Sequence, residues 1–173
     1  MEPALHSQLL EFSARKLEQM TSRIETCLGK LTGEQVWARG DENENAVGNL
    51  VLHLSGNVRQ WIVSGVGCRP DIRNRDAEFD ARGGVAIAEL AERLRATVAE
   101  AVAVIRAVSL ERLTERLVIQ NYEVSVLEAI LHVVEHFSGH TGQIIFATKM
   151  LTGADLGFYR HLRTTAAHGE TMP

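Results

Sequence analysis

Hydrophobic residues recur at helical spacing in four long segments, over about residues 3–30, 45–66, 84–108 and 123–151. In each segment apolar side chains return every three or four positions, which gives a helix one stripe that faces a core. No proline interrupts any of these segments. Four long amphipathic helices in a chain of this size predict an all-α fold, specifically a four-helix bundle.

The connections between these segments are long. Residues 67–83 form a charged loop, and residues 109–122 lead into "RLVIQNYEV", whose composition favours an extended segment. Long loops often carry function and let helices cross over the bundle. We expect a single domain over residues 1–160, followed by a partly disordered tail over residues 161–173.

Composition and charge limit the partners and cellular location that we expect for the protein. The chain has 173 residues and a net charge of −4, with no basic stripe, so we expect neither nucleic acid nor a membrane as partner. The first residues lack the features of a signal peptide, and no apolar run is long enough to span a membrane. Cys27 and Cys68 match no CxxC spacing, so we expect free thiols and a cytoplasmic location.

The segment with the most candidate metal ligands is "HVVEHFSGHTGQ", in which His132, His136 and His140 are spaced four residues apart. Helical phase separates them, because relative to Val126 they lie at about −120°, −80° and −40°, outside an apolar stripe that begins near −20°. His136 and His140 therefore lie closest to the core, and neighbouring imidazoles of this kind suit two positions of one metal ion. Polar histidines beside an apolar stripe are also common without a metal.

A third ligand must come from another helix, and His53 on the second predicted helix is the candidate. By periodicity it flanks the apolar stripe of its helix instead of entering the core. Asn49 and Asn57 lie one turn on either side, and Gln143 shares the histidine face of the last helix. We expect these three amides to orient a ligand or contact a substrate.

Charged residues offer two further candidates. Arg73 or Arg75, in the loop over residues 67–83, could hold a carboxylate of a substrate or could belong to a solvated loop. Glu135 lies on the far side of its helix from Val126, which argues against a metal-dependent hydrolase that uses it as a base.

The segments "NLVLHLSGN" and "HFSGHTGQI" together resemble the DinB-like superfamily, which includes bacillithiol- and mycothiol-dependent transferases. The resemblance covers residues 5–160 and points to a less characterised subgroup, since Thr141 stands where many members have arginine. It implies a DinB/YfiT-like bundle with crossover connections, a homodimer, and a divalent metal (zinc, nickel or iron) held by His53, His136 and His140.

Two classes of function follow from the resemblance and the residues. The first is a metal-dependent enzyme that transfers a low-molecular-weight thiol to an electrophile, with a metal-dependent hydrolase as a variant. The second is a non-catalytic dimeric bundle that binds a metal or ligand. In the first class the partners are a small-molecule thiol and an electrophile, and no protein cysteine is required.

Overall fold

The computed structural model describes residues 2–163, which are mostly helical and include one short β-hairpin. The helices are α1 (Glu2–Leu28), α2 (Gly33–Val36), α3 (Val47–Val58), α4 (Arg75–Asp80), α5 (Ile87–Arg106) and α6 (Val126–Thr152). A π-helical segment, Arg59–Val66, continues α3, and strands β1 (Arg116–Ile119) and β2 (Tyr122–Ser125) precede α6. Short 3-10 turns lie at Glu111–Thr114 and Arg160–Arg163. This composition agrees with the predicted all-α class.

Two further predictions concern membrane spans and the C-terminal tail. No helix among residues 2–163 is long and apolar enough to cross a membrane. The predicted disorder of the tail over 161–173 falls mainly on residues 164–173, which lie outside the described residues.

Each of the four predicted helical segments contains one long helix, and local signals define its ends. At the start of α6, the Ser125 hydroxyl accepts from the Glu128 backbone N–H while the Glu128 carboxylate accepts from the Ser125 N–H, which forms a capping box. At its end, Gly153 adopts a left-handed conformation with φ of 65°. The helix begins three residues later than predicted because residues 123–125 belong to β2.

The four long helices pack around a common core. Helix α1 packs against α5 and α6, and α3 packs against the same two helices. The core is built from the predicted stripes, whose fully buried side chains include Leu17 and Ile24 on α1, Leu90, Leu94 and Ile105 on α5, and Ile130, Phe137 and Ile144 on α6. Burial of these aliphatic groups is the main stabilising term of the fold.

Helix α3 is buried on every side, unlike its three long neighbours. Trp37 covers one side so closely that a Cβ on Gly48 would lie 2.8 Å from its ring, and α4 covers another. The prediction that His53 flanks the stripe at the edge of the core was therefore wrong: the residue is only 5% exposed. Periodicity failed here because a fully enclosed helix has no solvent-facing side to define its phase.

The hairpin accounts for the segment that composition marked as extended. Strand β1 pairs antiparallel with β2, with Arg116 opposite Ser125 and Ile119 opposite Tyr122. Gln120 and Asn121 form the two-residue turn, and both have positive φ, as tight hairpin turns require. Ile119 packs against the π-helical segment, so the hairpin closes one side of the site described below.

Candidate metal centre

Three histidines from two helices converge at one point. His136 and His140 lie one turn apart on α6, and α3 brings His53 against them. One nitrogen atom from each ring can be chosen so that all three lie within 4.8 Å of one another. His53 Nε2 and His136 Nε2 are 2.9 Å apart. The three residues that the sequence singled out as ligands are therefore neighbours in space.

The distance between the imidazole nitrogens fits coordination to one ion. Metal–imidazole bonds are about 2.0–2.1 Å long, so two ligands at a right angle place their nitrogens about 2.9 Å apart. A tetrahedral pair would be slightly wider, at about 3.4 Å. The three histidines could thus hold a divalent ion, and imidazole nitrogen accepts zinc, nickel or iron alike.

A buried ion pair behind His53 sets the orientation of this ring. Glu78 Oε2 lies 3.1 Å from His53 Nδ1. A carboxylate can only accept, so this contact places the proton on Nδ1 and leaves the Nε2 lone pair free for a metal. The Arg73 guanidinium also lies 3.1 Å from His53 Nδ1, but it already donates to Glu78 Oε2 at 2.7 Å.

Arg73 and Glu78 form a bidentate pair that is almost fully enclosed. Arg73 Nε donates to Glu78 Oε1 at 2.8 Å, and the two side chains are only 2% and 6% exposed. Arg73 Nη1 also donates to Gln60 Oε1. Neither alternative raised for Arg73, a substrate carboxylate or a solvated loop, describes this buried pair, because a carboxylate of the chain itself occupies its guanidinium.

Glu78 was missed in the sequence because it lies in a run of charges that resembles a solvated loop. The local signal was present in "RNRDAEF", where the Asn74 side chain accepts from the Ala77 N–H and starts α4. Glu78 lies on this short helix and Arg73 just before it, and both side chains are buried. Only the packing of α4 against α3 makes them a buried pair beside a histidine.

The predicted amide residues have three different placements. Gln143 accepts from His140 Nδ1 through its Oε1 at 2.6 Å, which leaves His140 Nε2 free. Asn49 instead donates to the backbone carbonyls of Glu78 and Ala81 and accepts from the Ala46 N–H. The Asn49 amide therefore fixes α4, which carries Glu78, to the start of α3, and its role in orienting a ligand or contacting a substrate stays a prediction.

Asn57 and His132 lie beside the cluster. Asn57 is buried, and its Oδ1 has no hydrogen-bond partner among residues 2–163. His132 stacks on His136 with ring centroids 5.6 Å apart and on Trp61 at 4.1 Å. It is not one of the three convergent residues, in line with its outward helical phase.

Burial favours the neutral form of His136 and His140, which is the state that binds metal. Loss of water first, and then the neighbouring His140 and His53, lowers the pKa of His136 to about 3. Burial also lowers the pKa of His140, although its hydrogen bond to Gln143 opposes this. For Glu78, burial raises the pKa, but hydrogen bonds from Arg73 and His53 outweigh it and keep the carboxylate ionised.

These shifts predict that the metal-free protein loses stability in mild acid. An unfolded histidine binds a proton near pH 6.5, whereas folded His136 does so only near pH 3, so the unfolded state binds more protons in between. The stability that ionised Glu78 contributes is lost only at lower pH, below the ordinary carboxyl pKa of 4.5, because its folded pKa is lowered. Urea denaturation of chelator-treated protein should give a lower free energy of unfolding at about pH 5 than at about pH 7.

His136→Gln provides the control for this dependence, because it removes the titrating ring and keeps a polar side chain of comparable length. The difference in unfolding free energy between the two pH values should be smaller in this variant. An equal difference in the variant and the wild type would show that His136 does not titrate as its environment predicts.

Close packing at Gly56 gives a second prediction. A Cβ on this residue would lie 1.8 Å from Glu78 Oε1 and 2.9 Å from Arg73 Nε. Because the ion pair is enclosed, the side chains cannot move aside freely, and Gly56→Ala should lower the free energy of unfolding by about 1–3 kcal/mol. Chemical denaturation measures this loss.

Gly139 is the matched control, since it is also a glycine inside a long helix and a Cβ there would meet nothing within 4 Å. Gly139→Ala should leave stability unchanged or raise it by up to about 1 kcal/mol, through helix propensity. If both alanine variants were equally stable, the close packing around Glu78 would be refuted.

Two cavities open beside the histidine cluster. The larger, about 410 Å³, lies between the π-helical segment, α4, the hairpin and α6, and His53 and His136 form part of its wall. The smaller, about 370 Å³, is lined by His136, His140 and Glu135. Glu135, which helical phase placed away from the core, thus shares a cavity wall with two of the histidines.

The fold and the site together define a class: a mostly helical protein with a three-histidine cluster that could hold a metal ion beside an open cavity. The chain belongs to the family described as "Protein of unknown function (DUF1572)", whose model matches residues 5–162.

A solved structure from Enterococcus faecalis, described as a conserved protein, has a similar fold, with a TM-score of 0.72 at 14% sequence identity. The match covers 83% of this chain and 97% of that one, and at this identity it informs on the fold alone. No curated protein matches the chain.

Proposed function

We propose that this protein is a metal-dependent enzyme of the DinB type, built on a four-helix bundle, that transfers a low-molecular-weight thiol to a small electrophile. The observation that carries the proposal is the convergence of His53, His136 and His140 beside an open cavity. The resemblance of "NLVLHLSGN" and "HFSGHTGQI" to the DinB-like superfamily supports it.

Three protein ligands leave at least one coordination position open, as in catalytic sites and unlike closed structural sites. When bound, a divalent zinc, nickel or iron ion would lower the pKa of a coordinated thiol, so that a thiolate forms at neutral pH. The chain's own residues prepare the site: Glu78 and Gln143 hold two imidazoles with their Nε2 atoms free, and burial keeps His136 unprotonated.

The nucleophile under this proposal is the external thiol. Cys27 and Cys68 are both free. Cys27 is buried, and burial raises the pKa of its thiol, which makes it a poor nucleophile. Free thiols are also what a cytoplasmic location favours.

A metal-dependent hydrolase is the second candidate, favoured by one observation. Glu135 lines the smaller cavity with His136 and His140, so a carboxylate is available there as a general base for a water molecule. Glu135→Gln should abolish a hydrolase but leave thiol transfer unchanged.

The test combines metal content with a thiol-dependent assay. Elemental analysis of purified wild type should find about one zinc, nickel or iron per chain. With 1-chloro-2,4-dinitrobenzene as electrophile, a thiol panel of bacillithiol, mycothiol, glutathione and cysteine should include at least one that is consumed. The thiol sulfur bonds to the ring carbon, chloride leaves, and the thiol proton passes to solvent.

His136→Ala is the matched negative in this assay and should lose both the metal and the activity. Bound metal without turnover of any thiol would favour the non-catalytic binding bundle. A metal-free wild type would refute the proposal. The homodimer implied by the resemblance is a further part of the proposal, and light scattering of the purified chain tests it.

A further inference from the structure

The larger cavity has the size and walls of a small-molecule site. Its volume of about 410 Å³ lies within the usual range for ligand pockets. Apart from three histidines, its walls include the aromatic rings of Trp61 and Tyr122 and the aliphatic side chain of Val124. The two rings lie with their centroids 6.5 Å apart and are tilted by 30°. These apolar groups suit the body of an organic molecule.

Two buried polar groups on the cavity wall lack partners. Trp61 Nε1 and Asn57 Oδ1 have no hydrogen-bond partner among the described residues, and the two residues are only 3% and 4% exposed. Buried polar atoms are normally satisfied, because an unpaired one costs about 1–3 kcal/mol. A bound molecule that offers an acceptor to the indole N–H would relieve part of this cost.

Among the described residues, the charged groups that line the cavity leave one cation, Arg75, without a carboxylate partner. Arg73 is held by Glu78, and Glu128 accepts from Ser125 and Arg116 at the start of α6. Arg75 stacks on the Phe79 ring at 4.8 Å and has no carboxylate partner within residues 2–163. A guanidinium whose N–H groups are free is a carboxylate-binding group.

The spacing between this cation and the histidines limits the length of the ligand. The Phe79 ring contacts both groups, with its centroid 4.7 Å from that of the His53 ring and 4.8 Å from the Arg75 guanidinium. The two groups are therefore within about 10 Å of one another. A molecule of the size of a benzoate can contact both.

We propose that the larger cavity binds a small organic carboxylate with a planar, unsaturated or aromatic body. Its carboxylate pairs with Arg75, and its body packs on Trp61, Tyr122 and Val124 with one end toward the histidines. That this ligand is the electrophilic substrate rests on the proposed function, whereas its binding in the cavity does not.

The test uses benzoate as the probe, with full-length zinc-treated protein and, separately, chelator-treated protein. The chain has two tryptophans, so an amide correlation spectrum should hold two indole N–H signals, and Trp61→Phe identifies that of Trp61 by its loss. Benzoate should shift the Trp61 signal and not that of Trp37, whose Nε1 already donates to the Val85 carbonyl.

Calorimetry then separates the contribution of the ligand's charge to binding from that of its ring. Arg75→Gln should weaken benzoate binding about tenfold, the size of one charge-assisted hydrogen bond at a partly exposed site. Benzamide, which has the same shape without the charge, should bind wild type as weakly as benzoate binds the variant. Acetate, which lacks the ring, should also bind more weakly than benzoate.

Arg69→Gln is the matched control, an exposed arginine outside the cavity lining, and should bind benzoate as wild type does. The proposal is overturned if benzoate leaves the Trp61 signal unmoved, or if Arg75→Gln binds it as tightly as Arg69→Gln. If the zinc-treated protein retains no metal but still binds benzoate in an Arg75-dependent way, the proposed function is overturned and the cavity assignment stands.

Discussion

Replacing His136 with alanine should cause the protein to lose its metal. This residue supplies one of three converging nitrogens, and its Nε2 lies 2.9 Å from that of His53, where a shared ion would hold both. Loss of one of three ligands should lower zinc affinity by more than about a hundredfold, beyond the usual effect of losing a residue that only orients a ligand. Competition titration with a zinc-binding dye measures the affinity.

His132→Ala is the matched control for this loss. It removes a histidine from the same helix, one turn earlier, that stacks on His136 without belonging to the converging set. This variant should retain the metal, and His140→Ala should lose it. The opposite pattern, with His132 required and His140 dispensable, would refute the assignment of ligands.

Replacing Glu78, which contacts His53 Nδ1, should weaken metal binding. Glu78→Gln keeps the shape of the side chain but removes the charge that holds His53 Nδ1–H and the Arg73 guanidinium. We expect zinc affinity to fall by about 10–100-fold, as for other carboxylates behind a histidine ligand. The same dye titration measures this effect.

Glu78→Ala should also destabilise the fold, because it leaves the 2% exposed Arg73 side chain without its partner. Removing one partner of a buried ion pair costs about 3–5 kcal/mol, which urea denaturation can resolve. Asp76→Asn is the control: it neutralises an exposed carboxylate on the same short helix and should change neither quantity. Equal metal affinity in Glu78→Gln and Asp76→Asn would show that Glu78 does not orient His53.

The amphipathic helices were predictable because each buries one side and exposes the other. Helices α1, α5 and α6 therefore carry a period in their sequence, and capping residues such as Ser125 and Gly153 mark the ends of α6. Helix α3 carries no such signal, since it is enclosed on all sides. Its existence was evident from its apolar content, whereas the depth of His53 was not.

The hairpin and α4 illustrate a different limit. Composition indicated an extended segment before α6, but the positive φ values of Gln120 and Asn121 belong to a tight turn that the residue types only weakly favour. Helix α4 has six residues and takes its stability from packing against α3, so its own sequence resembles a charged loop.

The sequence by itself determined the four long helices and the adjacency of His136 and His140, because helical spacing is a local property of the chain. It also indicated His53 as a candidate metal ligand and Gln143 as a residue that orients a ligand. Only the tertiary structure decided that Arg73 pairs with Glu78 and that Asn49 fixes α4 instead of meeting an imidazole. It also decided that Arg75 has no carboxylate partner among residues 2–163. These outcomes depend on which distant segments enclose a charge, since burial and pairing arise between elements, and no local pattern encodes them.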